Sequence, residues 1–361
     1  MNDRERYIAT MRFQPVDRPP LMAGNPWAET LDRWHQEGLP LVMSVADYFG
    51  YDRLERAPVD FRFVPPFPKT ILAEDDFTVT YLNDEGVILR DRRDNWERSM
   101  PAFVEFPVKT REDFRKLLPR MDPHSPERLP PGWKTLCERW RSRTVTLELM
   151  GDRVGGFYGP LRGMMGLEAL SYTFFDDPKL IEEMMDAKLH LMLELIKRVL
   201  ADATIDRFVF WEDMAGKAGP LISPATFRRL MVPRYRVIAD YLRSHGVEQV
   251  WVDSDGDVNQ LIPLWLEAGV NGVYPMEVQS GMDVVQLRRK YGRDLLMSGG
   301  IDKKVLLRDK RAIREEVMYK VPQLVEEGGY VPAIDHSVPP DVPFEHFRYY
   351  VGLLRGIFGM D

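Results

Sequence analysis

The stretch Trp251–Asp257, which reads Trp-Val-Asp-Ser-Asp-Gly-Asp, follows a short apolar run and carries acids at Asp253, Asp255 and Asp257. Strand geometry or a tight turn can direct at least two of these carboxylates into one cavity. Several carboxylates close together are energetically costly unless a bound cation, a basic side chain or water compensates their charge. The pattern indicates either a functional acidic cluster at a strand end or a solvated acidic turn.

The same combination of an apolar run followed by polar residues recurs from about residue 140 onward. Strands are predicted at 145–150, 208–211, 250–252, 272–274, 295–298 and 330–334. Helices are predicted between them, and Pro233 is expected to kink or divide the helix that begins at Ser223-Pro224. Repeated strand-helix units predict parallel strands with right-handed crossovers. Five such units favour a closed (β/α)8 TIM-type barrel, an α/β fold, over an open sheet.

The first third of the chain is less regular. A first strand is predicted around Leu21, and 78–82 with 87–90 read as a β-hairpin joined through Asn-Asp-Glu-Gly. We interpret residues 60–135 as insertions that decorate the barrel, so that residues 1–361 form a single barrel domain.

Composition excludes several functional classes. The chain has 361 residues and a net charge of -7, which argues against nucleic-acid binding because that requires a basic surface. Its single cysteine, Cys137, excludes an internal disulfide framework and a cysteine metal cluster. The charged amino terminus lacks the apolar core of a secretion signal, and no stretch approaches the ~20 apolar residues of a membrane span. A cytoplasmic location, a small-molecule substrate and no membrane partner are predicted.

The carboxyl ends of barrel strands converge on one mouth, where such enzymes carry out their chemistry. The residues predicted there as catalytic are Asp253, Asp255, Glu212 and His336. One histidine with several carboxylates suits a divalent cation, and zinc, manganese, iron and magnesium are all compatible. The predicted metal ligands are Asp255, Glu277 and His336. In isolation, a histidine after a strand is more often a hydrogen-bonded core residue, but the neighbouring acids favour a functional one.

Substrate contacts are predicted beside these acids. The glycine-rich loop 155–160 with its aromatic residues can line a flat ligand and Arg162 can place one cation, or the loop can be a tight structural turn. The predicted substrate-binding residues are Trp211, Tyr158, Arg162, Met276 and Asp302.

Several motifs together resemble the uroporphyrinogen decarboxylase superfamily. They are Asp17-Arg18-Pro19-Pro20, the blocks 211–214, 222–224 and 299–303, and the segment from Gly328 to Asp335-His336. The resemblance implies a (β/α)8 barrel with its active cleft at the carboxyl face of the strands. It also implies one of two chemistries, decarboxylation of porphyrinogens or cobamide-dependent methyl transfer.

This sequence departs from both patterns of the superfamily. The stretch Pro19–Asn25 lacks the arginines with which porphyrinogen decarboxylases bind substrate carboxylates, which disfavours that reaction. Asp253–Gly256 stands where the methyltransferases have His-x-Cys-Gly, and the last strand ends in Asp335-His336 without a cysteine. The resemblance therefore implies an oxygen-rich zinc site or a different cation, and zinc is the ion that we predict.

Three functions remain open on the sequence alone. The first is the methyltransferase component of a corrinoid system, acting on a small ether or amine; the chain has no Asp-x-His-x-x-Gly element, so a separate protein is expected to carry the corrinoid. The second is a metal-assisted decarboxylase or lyase of a cyclic or aromatic acid, with Arg162 holding the carboxylate. The third is a ligand-binding barrel without catalysis.

Overall fold

The computed structural model describes residues 1–96 and 100–360. Its strands are β1 Leu54–Arg56, β2 Thr70–Glu74, β3 Thr78–Leu82, β4 Ile88–Arg92, β5 Ala102–Glu105, β6 Thr146–Met150, β7 Arg207–Trp211, β8 Ala215–Gly216, β9 Gly219–Pro220, β10 Gln249–Asp253, β11 Gly272–Met276, β12 Leu296–Ile301 and β13 Tyr330–Ile334. Its α-helices are α1 Asp3–Met11, α2 Ala28–Gln36, α3 Val45–Phe49, α4 Arg111–Leu117, α5 Trp133–Trp140, α6 Tyr158–Met165, α7 Leu167–Asp176, α8 Pro178–Asp202, α9 Pro224–Leu230, α10 Val232–Ser244, α11 Ile262–Ala268, α12 Val284–Tyr291, α13 Lys310–Glu327 and α14 Phe344–Ile357.

Seven strands form one parallel sheet in the order β1-β6-β7-β10-β11-β12-β13. The gap between its edge strands is bridged by the extended segment that follows Pro20. The Ile334 amide of β13 donates to the Ala23 carbonyl at 3.1 Å, and the Asp52 amide, just before β1, donates to the Leu21 carbonyl at 3.0 Å. The predicted first strand around Leu21 is therefore an extended segment bonded to both edges. The architecture confirms the predicted TIM-type barrel.

The interior of the barrel is filled from its amino-terminal end. Tyr7 and Met11 of α1 pack against Val209, Trp251 and other inward-facing residues of the strands. Because alternate strand residues share a face, the residues two positions beyond these project at the opposite, carboxyl end. This arrangement places the strand-end acids on one rim.

The outer helices begin where the sequence provides caps. Asp177 accepts a hydrogen bond from the Leu180 amide at 3.1 Å at the start of α8, and Ser223 accepts one from Thr226 at the start of α9. The helix expected to kink or divide at Pro233 does divide: α9 ends at Leu230 and Pro233 lies in the first turn of α10. Proline fits there because a first-turn amide has no intrahelical acceptor.

The predicted hairpin is present as β3 and β4, which pair in antiparallel register. It is extended on both sides by β2 and β5 into a four-stranded sheet. Side chains of β2 and β5 are exposed along their length, so these two strands lack the alternating burial that makes a strand recognisable in sequence.

None of the helices formed by the described residues combines the length and the apolar character needed to cross a bilayer.

Candidate active site at the carboxyl ends of the strands

Asp253 is the last residue of β10 and lies two positions after Trp251, which packs inside the barrel. Its side chain therefore points inward at the rim. Among the described residues its carboxyl group has no hydrogen-bond partner. Burial raises the pKa of Asp253 to about 8, with further contributions from the negative charges of Asp255 and Asp213, while His336 opposes the shift. At neutral pH this group is a carboxylic acid that can donate a proton.

His336 and Asp255 form a pair on the same rim. The Nε2 atom of His336 lies 3.4 Å from Oδ2 of Asp255, and both side chains are partly exposed. The hydrogen bond to Asp255 raises the pKa of His336, and burial acts in the opposite direction. The exposed Trp27 ring lies next to His336, with its centroid 6.1 Å from that of the imidazole. The structure thus places an acid and an imidazole near Asp253.

Glu212 is fully buried behind the rim, where its carboxylate receives four hydrogen bonds. Oε1 accepts from the Phe157 amide at 2.8 Å and from the Tyr235 hydroxyl at 2.5 Å, and Oε2 accepts from the Tyr158 and Gly159 amides at 2.6 and 3.1 Å. Burial raises the pKa of Glu212 to about 7 although these hydrogen bonds lower it. The carboxylate satisfies the first amides of α6 and joins this helix to β7.

The glycine-rich loop before α6 is required by this close approach. A Cβ atom at Gly156 would lie 2.9 Å from the Glu212 carboxyl carbon, and one at Gly159 would lie 2.6 Å from the Trp211 ring. These glycines let the backbone reach the buried carboxylate. The structure therefore favours the interpretation of this loop as a tight structural turn.

The predicted substrate-binding residues occupy different environments. Arg162 forms an ion pair with Asp213, and its guanidinium lies 5.8 Å from the centroid of the Trp211 ring. Tyr158 is fully buried and stacks on Phe174 in the outer core. Met276 is also fully buried in that core. Trp211 and Arg162 are partly exposed, whereas Tyr158 and Met276 are not accessible to a ligand at the rim.

Asp302 acts locally as a cap for the turn that follows β12. Its carboxylate accepts hydrogen bonds from the Lys304 amide and from the Gln279 side chain, both at 2.9 Å. The Asp302 amide in turn donates to Glu316. These contacts occupy the side chain that the sequence predicted to contact substrate.

Glu277 belongs to an ion-pair network centred on Lys303. Lys303 Nζ lies 3.4 Å from Glu277 Oε1 and 3.6 Å from Oδ1 of the buried Asp335. Glu277 also accepts a hydrogen bond from the Gly256 amide at 3.0 Å. Asp335 accepts from the Lys303 and Val278 amides, both at 3.0 Å, and burial raises its pKa while Lys303 opposes the shift.

The predicted zinc ligands do not fit a metal ion in this arrangement. Asp255 and His336 face each other, but the third ligand, Glu277, is neutralised by Lys303, whose ammonium would repel a cation. Residues 1–96 and 100–360 contain no group of three or more His, Cys, Asp or Glu side chains arranged to hold a metal ion. Glu277, which the sequence predicted to be a metal ligand, instead forms a salt bridge with Lys303.

Two residues of this region were not predicted from the sequence. Tyr235 lies on α10 at a helical core spacing, and such a position gives no indication of a hydroxyl partner on another element. Lys303 stands directly after Asp302, and its position just beyond the end of a predicted strand was the available signal that it lies at the rim.

Removing the Tyr235 hydroxyl tests how much its hydrogen bond to the buried Glu212 carboxylate stabilises the fold. Tyr235→Phe should lower the free energy of unfolding by about 1.5–3 kcal/mol at pH 8, where Glu212 is ionised, because a hydrogen bond to a charged group is lost. The loss should be smaller at pH 5, where Glu212 is protonated. Urea unfolding at both pH values measures this effect. Equal losses in Tyr235→Phe and in the control Tyr241→Phe, on the same helix, would contradict it.

The metal assignment can be tested by a gain of binding. Added Zn²⁺ should leave the melting temperature of the chelator-treated protein unchanged, because the Glu277 carboxylate is held in a salt bridge by Lys303. In Lys303→Met the carboxylate becomes available, and Zn²⁺ should raise the melting temperature by mass action. Zinc stabilisation of the unmodified protein that disappears in His336→Ala would overturn this assignment.

Comparisons with known proteins agree with this architecture. The chain is 25% identical over 207 residues to the uroporphyrinogen decarboxylase of Thermus thermophilus, a match covering 55% of this chain and 54%, about half, of the relative. It is 22% identical over 269 residues to the Nostoc punctiforme enzyme, covering 68% of each chain. A solved structure described as a methyltransferase from Methanosarcina mazei superposes with a TM-score of 0.60 at 15% identity, covering 99% of both chains. The sequence profile of uroporphyrinogen decarboxylase (URO-D) matches residues 96–356. The chain therefore belongs to the uroporphyrinogen decarboxylase family.

Proposed function

We propose that this protein is an enzyme that removes a methyl group from a small ether or amine and passes it to a reduced corrinoid carried by a separate protein. The observation that carries the proposal is the position of the Asp253 carboxyl group, which lies at the inner rim of the barrel beside Asp255 and His336 and has no hydrogen-bond partner among the described residues. The pKa of this carboxyl group is raised to about 8. Such a group is a general acid at neutral pH.

Demethylation requires an acid because the oxygen or nitrogen that remains is a poor leaving group. In the proposed step the carbon–oxygen bond breaks, the methyl carbon takes the electron pair of the acceptor, and the departing oxygen takes the proton of Asp253. A positioned donor that stabilises developing charge on oxygen contributes substantially to such a barrier. The Asp255–His336 pair supplies a second proton-carrying group at the same rim.

The charges around the cleft favour a substrate with little charge of its own. Arg162 is paired with Asp213, and Lys303 is paired with Glu277 and Asp335. A substrate with several carboxylates would have to break these pairs, whereas a neutral methoxylated or methylated compound would not. The aromatic faces of Trp27 and Trp211 offer apolar contact for such a compound.

The acceptor is the part of the proposal that comes from outside the chain. The Methanosarcina mazei structure is described as a methyltransferase, and the likeness extends over 99% of both chains. The chain lacks an Asp-x-His-x-x-Gly corrinoid element, so a separate protein supplies the acceptor in this proposal. No step passes through zinc, since the side chains predicted to hold it do not fit a metal ion.

A second function, decarboxylation of a cyclic or aromatic acid, is favoured by the names of the curated relatives. In that reaction a carbon–carbon bond breaks, carbon dioxide leaves, and the carbon takes the proton of Asp253. The substrate carboxylate would have to displace Asp213 from Arg162.

The two reactions are separated by their need for the acceptor. The purified protein should convert methoxylated phenols or methylated amines only when cob(I)alamin is present, with one demethylated product formed for each cob(I)alamin consumed. Loss of the cob(I)alamin absorbance and chromatography of the product measure this ratio. Release of carbon dioxide from aromatic acids in the absence of corrinoid would contradict methyl transfer and support decarboxylation. Saturable binding of these compounds without formation of any product would indicate a ligand-binding protein without catalytic activity.

Replacement of Asp253 tests its role as the acid. Asp253→Asn should slow turnover by ~10²–10⁴-fold, the usual contribution of a general acid. The rate of the unmodified protein should fall as pH rises through about 8, because Asp253 loses its proton there. Pre-steady-state rates of methyl transfer between pH 6 and pH 9.5 provide the measurement.

The stability of the same variant provides the control. The folded protein holds a proton on Asp253 that the unfolded chain releases near pH 4, so the free energy of unfolding should decline as pH rises from there to about 8. Asp253→Asn removes this decline and should melt at a higher temperature than the unmodified protein at pH 9. Asp257→Asn, in the same turn, should change neither the rate nor this pH dependence. Unchanged turnover in Asp253→Asn would contradict the assignment.

A further inference from the structure

The floor of the barrel mouth is formed by side chains that stand one level above the packed interior. Trp251, Leu296 and Val331 belong to the interior cluster, and the residues two positions after them share the same inward face. These residues are Asp253, Ser298 and Ala333. All three are partly exposed, so a ligand that enters the mouth can reach them.

Tyr274, on β11, belongs to the same floor and is also partly exposed. It pairs with Asp253 on β10, and its ring centroid lies 6.1 Å from that of Trp251. The side chain crosses the barrel interior, because its hydroxyl lies 3.9 Å from Sδ of Met150 on β6. A thioether is a weak acceptor, so the Tyr274 hydroxyl remains able to donate to a ligand.

Ser298, on β12, provides a second hydroxyl at this level. Its neighbour Met297 pairs with Val273, so Ser298 and Tyr274 follow a matched pair on adjacent strands. Ser298 is partly exposed, and its hydroxyl has no hydrogen-bond partner in residues 1–96 and 100–360. A partly enclosed hydroxyl without a protein partner can form a hydrogen bond with a ligand at little cost.

The polar side chains of the floor are confined to one side of the barrel. Asp253, Tyr274 and Ser298 lie on β10, β11 and β12, which are consecutive strands of the parallel sheet. The remainder of the floor is largely apolar. It is formed by Met22, Trp211 and Ala333. This arrangement fits a small ligand that has oxygen atoms on one part of its surface and an apolar remainder.

We infer that Tyr274 and Ser298 bind a free hydroxyl group of the substrate, so that the substrate is a methoxylated phenol rather than a methylamine or a simple aryl ether. The inference rests on the proposed methyl transfer, in which Asp253 protonates the oxygen that carries the methyl group. The ring of the phenol lies against Trp211 and Met22. A compound without the hydroxyl leaves the two side chains without a partner, and such sites discriminate strongly against it.

The three isomers of methoxyphenol are the probes, and methoxybenzene, which lacks only the hydroxyl, is the reference compound. Calorimetry on the full-length protein without corrinoid measures their binding at pH 7. At least one isomer should bind about tenfold more tightly than methoxybenzene, because its hydroxyl forms hydrogen bonds that the reference compound cannot form.

Two variants each remove one hydroxyl from the floor. Tyr274→Phe and Ser298→Ala should each weaken binding of the preferred isomer by about three- to tenfold, and should change binding of methoxybenzene by less than about twofold. A general disturbance of the floor would weaken both compounds alike, so the ratio of the two affinities reports the lost hydrogen bond. Tyr172→Phe, at an exposed position of α7, is the control and should change neither affinity.

Three results would overturn the inference. The first is the absence of saturable binding by all four compounds up to about 10 mM, and the second is affinities for the four that agree within about threefold. The third is a preference for a methoxyphenol that persists unchanged in both Tyr274→Phe and Ser298→Ala. Failure of methyl transfer to cob(I)alamin, with the preference and its loss in the variants intact, would overturn the proposed function alone.

Discussion

The buried carboxylate of Glu212 is the constraint on which the cleft depends. It lies at the end of β7 and receives the first amides of α6, so it fixes where that helix starts relative to the barrel. The position of α6 then sets the position of Arg162, and with it the ion pair to Asp213 beside Trp211. A buried carboxylate is stable only with such a set of donors. One requirement for hydrogen bonds therefore positions a helix, a cation and an aromatic wall together.

The electrostatic state of the rim follows from which acids have partners. Glu277 and Asp335 share Lys303, and Asp255 faces His336. Asp253 stands among these groups without a hydrogen bond of its own in the described structure. Protonation is the least costly state for such a carboxyl group in a partly desolvated position. The negative charges of Asp255 and Asp213 add to the effect of burial and help to keep the proton on Asp253.

Predictions from sequence succeeded where a pattern is local. The strands β6, β7 and β10 to β13 of the parallel sheet are mainly apolar runs bounded by turn residues, and they were predicted within a few residues of their observed bounds, whereas the two-residue strands β8 and β9 were not predicted. β1 was not predicted, because Leu54–Arg56 is only three residues long and is held by backbone pairing to β6. The shared rim of the acids followed from the rule that parallel strand ends converge.

What the sequence could not provide is the pairing of charges across elements. Glu277 and Lys303 are 26 positions apart, and nothing in either local sequence shows that the lysine reaches the carboxylate. The difference decides the chemistry, since a carboxylate next to an ammonium is a poor ligand for a cation. Lys188 illustrates the opposite case, in which a helical core position conceals an ammonium without a partner in the described structure. The rim thus compensates its charges internally except at one protonated acid.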